Sequence, residues 1–264
     1  MVATITSPQN ERFKSLQSLR EKKAREATGT FLVEGQKEIS LAIKNGFHIE
    51  EIWVNEGKFP SKEGWLATAS QGGCFSIPES LFNKIGYREK TEGIMAVVAQ
   101  KPITLDTLAI DPHTSSLVII ADHLEKPGNV GTLFRIADGV GADAVILAGT
   151  STDAYNPNVI RNSVGTFFAV PFAVAEPAAV LAWVLANQMS LVVASPDAKQ
   201  LYHQVQWPKR TALVVGREHE GVQSDWGKTA IRVNIPMRGQ NDSLNVAVST
   251  GILVYEWAKQ VSPQ

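Results

Sequence analysis

The sequence predicts an α/β protein in which a parallel-sheet domain follows a smaller α/β domain. The first observation is a series of largely apolar C-terminal runs, at 117–120, 144–147, 191–194, 212–215 and 231–235. Runs that are apolar on both faces are typical of parallel strands covered by helices on each side. The second observation is the helical stretches between these runs, near 130–140, 178–187 and 246–259. The third is the length of 264 residues, about twice that of a usual domain.

Shorter elements are predicted in the N-terminal part. A helix is predicted over 10–27, because Phe13, Leu16 and Leu19 recur at about one-turn spacing. Strands are then predicted at 31–33, 49–54, 75–77 and 94–99, and helices at 36–45, 61–70 and 79–85. We therefore expect a small α/β domain over 1–105, a polar linker over 106–116 and the parallel-sheet domain over 117–264.

The composition excludes several classes of protein. With 44% hydrophobic and 19% charged residues, the chain is expected to be globular rather than disordered. A single cysteine, Cys74, excludes an intramolecular disulfide and a four-cysteine metal site. The first residues lack the apolar core of a signal peptide, and no apolar run approaches 18 residues, so a cytoplasmic protein without a membrane span is expected. The net charge of −1 means that nucleic-acid binding would depend on local patches.

The helix predicted over 10–27 carries such a patch. It contains six basic and three acidic residues, an excess of three positive charges. Its lysines Lys14, Lys22 and Lys23 are candidates for binding RNA phosphates. A solvated helix face explains the same charges equally well.

The first of three polar loops follows the run 117–120 and has Asn129 between Gly128 and Gly131. It lies at a predicted strand-to-helix junction, where free backbone N–H groups can hold a phosphate. Arg135 follows about one and a half helical turns later, close enough for both side chains to reach one ligand. An ordinary helix start with a surface arginine explains the same residues.

The second loop follows the run 212–215 and has Glu218 between Gly216 and Gly221. The two glycines indicate a close approach of the backbone to a ligand, although short Gly-rich turns are common. Neither of these loops contains the G-x-G-x-x-G dinucleotide pattern or the P-loop pattern. A nicotinamide-dependent oxidoreductase is therefore disfavoured.

The third loop leads from Ile235 into the apolar stretch 246–259. Its polar residues are Arg238, Gln240, Asn241, Asp242, Ser243 and Asn245. Capping of the following helix by Asp242 or Ser243 accounts for one of them and leaves the others unexplained.

Together the three loops resemble the signature motifs of the SpoU/TrmH family of RNA 2′-O-ribose methyltransferases, within the SPOUT superfamily. The matching elements are Asn129-Val-Gly-x-x-x-Arg135, Gly216-x-Glu-x-x-Gly221 and Ile235-Pro-Met, the last continuing to Ser243-Leu-Asn-Val-Ala-Val-Ser249. Their order and spacing cover nearly all of 117–260. The stretch 157–165 is similar to the family's Arg-x-Ser-x-Gly segment, which makes Arg161 a candidate RNA-binding residue. Phe31-Leu-Val-Glu-Gly35 before a helix is similar to the family's frequent substrate-binding domain.

The resemblance implies a C-terminal domain with a trefoil knot, S-adenosylmethionine bound in that knot, and a homodimer. Gly216, Ile235 and Leu244 match the residues whose backbone surrounds the adenosyl group. Arg217 and His219 depart from the residues common in the second motif, but neither replaces the acid or the outer glycines. We therefore expect activity to be retained, and an effect on substrate choice stays open.

The resemblance also implies the catalytic residues. Arg135 matches an arginine proposed to bind the RNA phosphate and assist deprotonation of the ribose hydroxyl. Asn129, Ser243 and Asn245 match positions that orient the ribose and this arginine, and Glu218 matches the acid of the second motif. Because arginine stays protonated in proteins, we prefer electrostatic stabilisation of the developing alkoxide, with the proton acceptor left open. Methyl transfer from a sulfonium needs no metal, since the leaving group is a neutral thioether.

The predicted function is therefore S-adenosylmethionine-dependent 2′-O-methylation of a ribose in structured RNA. Ribosomal RNA is favoured over transfer RNA, because a separate N-terminal domain suits recognition of a folded RNA site. The alternatives are a transfer RNA methyltransferase and a non-catalytic RNA-binding or ribosome-assembly protein of the same fold. The intact residues Asn129, Arg135, Ser243 and Asn245 argue against the non-catalytic protein. The sequence does not name the modified nucleotide.

Overall fold

The structure is a computed structural model that describes residues 2–55, 57–58, 70–87, 92–149, 152–217 and 220–261. The chain divides into two compact units. Unit 1 comprises Met1–Lys101 together with Asp153–Ala169, and unit 2 comprises Pro102–Thr152 together with Val170–Gln264. The segment Asp153–Ala169 thus packs in unit 1, whereas the sequence predicts that it belongs to the parallel-sheet domain over 117–264.

Both units contain strands and helices in their described parts. The strands are β1 Val2–Thr4, β2 Thr30–Glu34, β3 Ile49–Asn55, β4 Cys74–Ile77, β5 Ile94–Ala99, β6 Ser116–Asp122, β7 Ala144–Ala148, β8 Phe172–Ala175, β9 Ser190–Ala194, β10 Gln200–Leu201, β11 Arg210–Val215 and β12 Ile231–Asn234. The helices are α1 Glu11–Ser18, α2 Lys22–Thr28, α3 Gln36–Lys44, α4 Glu79–Ile85, α5 Pro127–Val140, α6 Pro157–Ser163, α7 Pro177–Ala186 and α8 Val246–Val261. The helix predicted over 61–70 lies outside the described residues except for Ser70, which forms a β-bridge with Ile49.

Unit 1 contains a five-stranded mixed sheet in the order β1-β4-β3-β5-β2. Strands β1 and β3 run parallel to β4, whereas β5 runs antiparallel to both β3 and β2. One face of this sheet packs against α1 and α4 through buried side chains that include Phe13, Leu16, Trp53 and Phe82. The small α/β domain that the sequence predicts is therefore present.

The single helix predicted over 10–27 is wrong, because the chain forms two helices with a turn between them. Asn10 begins α1 by accepting the backbone N–H groups of Arg12 and Phe13 on its side-chain oxygen. After α1, the carbonyls of Leu19 and Arg20 both accept from Nη1 of Arg25, at 2.7 Å each. In a continuous helix those carbonyls would accept backbone N–H groups. At the break between α1 and α2, the side chain of Arg25 supplies their hydrogen bonds instead.

The segment Asp153–Ala169 is tied to the rest of unit 1 by polar contacts. Arg25 is 2% exposed and its guanidinium lies 2.6 Å from the carboxylate of Asp153. The hydroxyl of Tyr155 donates to the Lys101 carbonyl at 2.8 Å and accepts from its N–H at 3.0 Å. Burial raises the pKa of Tyr155 to about 12, so the phenol keeps the proton that it donates.

Aromatic side chains of the same segment complete an apolar cluster in unit 1. The rings of Phe31, Phe47, Tyr155, Phe167 and Phe168 pack with centroid distances between 4.7 and 6.5 Å. Aromatic rings at such distances stabilise a core beyond the area that they bury. The core of unit 1 therefore requires residues that are distant in sequence.

Unit 2 contains a seven-stranded sheet in the order β10-β12-β9-β11-β6-β7-β8, with every neighbouring pair parallel. All residues of β6 and β7 are buried, as expected for strands covered on both faces. The prediction of a parallel sheet in the C-terminal domain is confirmed.

Residues 106–116, expected to be a linker, pack in unit 2. A short 3₁₀ helix spans Leu105–Thr107, and Leu108 is buried in the core cluster of unit 2. The carbonyl of Ile103 accepts from the N–H of Val174 beside β8. Within the described part of the chain, no helix combines the length and apolar character needed to cross a membrane.

Candidate active site

A cleft opens at the carboxyl ends of β9, β11 and β12, where ligands of parallel α/β sheets bind. Its walls are the loops that follow these strands and the first turns of α8. The lining residues are Ala194, Ser195, Pro196, Val215, Gly216, Arg217, Gly221, Val233, Asn234, Ile235, Met237, Asp242, Ser243, Leu244, Val246, Ser249 and Leu253. The second and third polar loops of the sequence thus meet in one cleft.

The loop after β11 folds back sharply on itself. Arg217 and Gly221 exchange two backbone hydrogen bonds, at 2.9 and 3.0 Å. A Cβ atom on Gly216 would lie 2.1 Å from the Gly221 carbonyl oxygen, so a side chain at this position would displace the backbone. Glu218 and His219, which stand between Arg217 and Gly221 in the sequence, lie outside the described residues.

The three residues predicted to hold the cofactor, Gly216, Ile235 and Leu244, all line the cleft. They approach it from two loops and are surrounded by apolar side chains such as Val215, Met237 and Leu253. A concave, mainly apolar wall with a few polar groups is the usual form of a small-molecule site. Their role in binding remains a prediction.

The first and third polar loops are joined by Asn129 and Asn245. Nδ2 of Asn245 donates to Oδ1 of Asn129 at 3.2 Å, and Oδ1 of Asn245 accepts from the N–H of Ala247 at 3.0 Å. Asn245 is therefore the residue that caps α8, and the expectation that Asp242 or Ser243 does so is wrong. Both precede Val246, the first residue of α8, by three residues or more, too far for an N-cap.

Arg135 lies apart from this pair. It is exposed on α5, has no hydrogen-bond or ion-pair partner among the described residues, and is not one of the cleft-lining residues. Six helical positions separate it from Asn129, which places the two side chains about 120° apart around the helix axis. Arg135 therefore does not line the cleft of its own chain.

Two residues near the cleft were not predicted as functional from the sequence. Asp122, the last residue of β6, accepts hydrogen bonds from the backbone of Gln223 and from Ser224. Arg217, predicted only as a departure from the family pattern, donates through Nε to the carbonyl of His123 and pairs with Glu125 and Glu220. In the sequence, Asp122 is visible only as an acidic residue at the end of an apolar run. This pattern does not reveal which groups the carboxylate contacts.

The candidate RNA-binding lysines lie on the exposed faces of α1 and α2. Lys14 pairs with Glu11 at 2.9 Å and Lys22 with Glu26 at 3.6 Å, whereas Lys23 has no ion-pair partner among the described residues. Arg25, one of the six basic residues counted in this patch, is buried. Its charge therefore adds nothing to the surface, which reduces the local excess to two positive charges.

Arg161 forms a hydrogen bond within unit 1. Its Nη1 donates to the carbonyl of Tyr87 at 2.7 Å, which joins α6 to the end of α4. The residue is exposed, so a second contact with RNA remains a prediction.

A parallel sheet with a strand-end cleft, preceded by a separate mixed-sheet unit, defines a two-domain α/β ligand-binding protein. Residues 116–255 match the SpoU rRNA Methylase family, and residues 10–96 match the MRM3-like substrate binding domain. The chain belongs to the SpoU rRNA methylase family, and the resemblance found in its motifs is confirmed.

Whole-length relatives agree with this assignment. The chain is 32% identical over 253 residues to the 23S rRNA (guanosine(2553)-2′-O)-methyltransferase RlmP of Bacillus subtilis, covering 95% of this chain and 97% of the relative. The crystal structure of an RNA 2′-O ribose methyltransferase superposes with a TM-score of 0.84 at 37% identity, over 97% and 98% of the two chains. The AdoMet-bound rRNA methyltransferase of Sinorhizobium meliloti superposes with a TM-score of 0.88 at 27% identity, over 98% of both chains.

Proposed function

We propose that the protein transfers a methyl group from S-adenosylmethionine to the 2′-hydroxyl of a ribose in ribosomal RNA. The observation that carries this proposal is the cleft in which the loops after β11 and β12 meet. Its lining includes the three residues expected to surround the adenosyl group. Similarity over nearly the whole chain to enzymes named for this reaction supports it.

The cleft suits an adenosyl group for physical reasons. Adenine is uncharged and flat, so apolar side chains such as Ile235 and Leu244 can cover its faces while backbone N–H and C=O groups contact its edge. The absence of a side chain at Gly216 leaves the backbone itself as part of the wall. When bound, S-adenosylmethionine supplies an electrophilic methyl group on a sulfonium.

The residues of this chain would act on the ribose. Asn129 and Asn245, whose side-chain amides are hydrogen-bonded to each other, would orient the ribose. Arg135 would hold the RNA phosphate and stabilise the alkoxide as the hydroxyl loses its proton. Glu218 and Ser243 are proposed to hold this arrangement by hydrogen bonds.

Three further features belong to this proposal. A homodimer is supported by Val248 and Tyr255, which are 52% and 55% exposed and lie seven positions apart on α8, and by the separation of Arg135 from the cleft of its own chain. The trefoil knot is proposed from the family motifs. A cytoplasmic location is proposed because ribosomal RNA is the proposed substrate.

The function is tested by incubating the protein with methyl-labelled S-adenosylmethionine and separately with ribosomal and transfer RNA. We expect label in ribosomal RNA, and digestion to nucleosides should recover it as a 2′-O-methylribose. Recovery on a base would contradict the reaction proposed, and preferential labelling of transfer RNA would contradict the substrate. Tight RNA binding without transfer would identify the non-catalytic alternative instead.

A further inference from the structure

Asp122 is a charged residue at a completely buried position. It ends β6, and its relative exposure is 0%. Burying a carboxylate is costly unless hydrogen-bond donors replace the water that it loses. The partners of Asp122 therefore reveal which part of the fold it holds.

Those partners come mainly from one short segment that follows β11. Oδ2 accepts from the N–H groups of Gln223 and Ser224, at 2.6 and 3.0 Å. Oδ1 accepts from Oγ of Ser224 at 2.6 Å and lies 3.0 Å from Nδ1 of His123. Three donors from two consecutive residues fix the position and direction of that segment.

The segment continues directly from the tight loop that lines the cleft. Gly221, which pairs with Arg217 and lies against Gly216, precedes Gln223 by two residues. Neither Gln223 nor Ser224 lines the cleft, whereas Gly216, Arg217 and Gly221 do. Asp122 thus holds the segment that follows the loop and does not itself line the cleft.

The loop after β11 has a second set of contacts, formed by Arg217. The guanidinium of Arg217 donates to the His123 carbonyl at 2.9 Å and pairs with Glu125 at 2.6 Å. One anchor is Asp122, the last residue of β6, and the other is formed by His123 and Glu125 just after it; β6 is the immediate neighbour of β11 in the sheet. The carboxyl end of β6 and the residues that follow it therefore fix the loop after β11 at two points.

We infer that Asp122 is a positioning residue for S-adenosylmethionine, acting through Gln223 and Ser224 on the cleft wall formed by Gly216, Arg217 and Gly221. The inference rests on the proposed function, in which this cleft binds the cofactor. Because Asp122 holds the wall rather than the reacting groups, its loss should weaken cofactor binding much more than the chemical step.

The test is Asp122→Asn, which keeps the shape of the side chain but removes its negative charge and replaces one of its two acceptor oxygens with a donating NH2 group. We expect the Kd for S-adenosylmethionine, measured by calorimetry on the full chain, to rise about tenfold or more, in line with the loss of a charge-assisted hydrogen bond. The KM for the cofactor should rise similarly, while kcat at saturating cofactor and the KM for RNA should change by less than about threefold.

Asp143→Asn is the matched control. Its carboxylate also accepts a backbone N–H, that of Leu117 at 2.8 Å, but at the opposite end of β6. This variant should lower the melting temperature, because it also removes a charged acceptor from a backbone N–H, and leave the cofactor Kd within about twofold. An Asp122→Asn variant that melts lower yet binds cofactor like wild type would show a purely structural role and overturn the inference.

Ser224→Ala provides a second variant if Asp122→Asn folds poorly. It removes only the 2.6 Å hydroxyl contact, so a Kd increase of about threefold is expected. Combined with Asp122→Asn, it should add less than it does alone, because loss of the carboxylate charge already weakens the contact between Asp122 and Ser224. Full additivity, or no effect of Ser224→Ala alone, would contradict the inference. If the wild-type protein binds no S-adenosylmethionine, the proposed function itself fails.

Discussion

In unit 2 every neighbouring pair of strands is parallel, whereas the sheet of unit 1 mixes parallel and antiparallel pairs. Parallel strands end at the same edge of a sheet, so the loops that follow β9, β11 and β12 meet there. Antiparallel pairs send consecutive strand ends to opposite edges. The parallel direction of the strands thus explains why polar loops distant in sequence form a cleft in unit 2.

The two units also use their arginines differently. In unit 1, Arg25 is buried and satisfies two carbonyls and Asp153, so it stabilises the fold. In unit 2, Arg135 is exposed and has no partner among the described residues, so it contributes little to the folded chain. The contacts of an arginine, rather than its presence, therefore distinguish a structural residue from a candidate catalytic one.

The largest expected effect concerns the structural arginine. Asp153→Ala removes the carboxylate beside a guanidinium that is 2% exposed, and should lower the free energy of unfolding by about 3–5 kcal/mol. The measurement is chemical denaturation followed by circular dichroism. Glu26→Ala is the control, since it breaks the exposed Lys22–Glu26 pair and should cost no more than about 1 kcal/mol. Equal losses for the two variants would remove the distinction between a buried and a surface pair.

The next effect concerns the exposed arginine. Arg135→Ala should leave folding and cofactor binding nearly intact but lower methyl transfer about 100-fold or more, because a preorganised contact with the transition state is lost. Arg135→Lys should also be slow, since an ammonium cannot reproduce the planar guanidinium. Single-turnover methylation at saturating RNA separates the rate from simple loss of affinity.

Arg232→Ala is the control for this change, because Arg232 is also exposed in unit 2 but lies on β12, outside the matched motifs. It should keep its single-turnover rate within about twofold. Near wild-type rates for Arg135→Ala would mean that Arg135 is an ordinary surface residue. The exposed arginine of unit 2 would then have no catalytic role to set against the structural role of Arg25.

The sequence predicts the parallel sheet well, since β6, β7, β9 and β11 contain apolar runs whose pattern is local. It does not predict β1, β8 or β10, which have two to four residues each and owe their state to strands that they pair with. Short segments carry too little periodicity to identify themselves.

Tertiary contacts account for the other differences between the predictions from the sequence and the structure. Nothing local in the segment Asp153–Ala169 reveals that Phe167 and Phe168 belong to the aromatic cluster around Phe31. Similarly, the three motif loops of the candidate site are visible in the sequence, but the contact of Asp122 with Ser224 spans 102 positions. It depends on β6 lying beside β11, which no residue pattern specifies.

The smallest expected effect concerns the charged surface of unit 1, where Lys14, Lys22 and Lys23 are candidates for contacting RNA. The first two form exposed pairs with Glu11 and Glu26, and such pairs contribute little to stability, so an RNA phosphate can compete for either lysine. Replacing all three with glutamine should weaken RNA binding several-fold. It should also make the plot of log Kobs against log salt shallower by about two, because each lost phosphate contact removes somewhat less than one unit of slope.

The matched variant changes three exposed lysines of unit 2, Lys209, Lys228 and Lys259, to glutamine. Both variants lose three positive charges, so any general effect of net charge is equal in the two. If unit 1 contacts the RNA backbone through α1 and α2, only the first variant should lose salt dependence, measured by filter binding or fluorescence anisotropy over a range of salt concentrations. Identical slopes for both variants and wild type would mean that these lysines form a solvated helix face, and that the RNA is bound elsewhere.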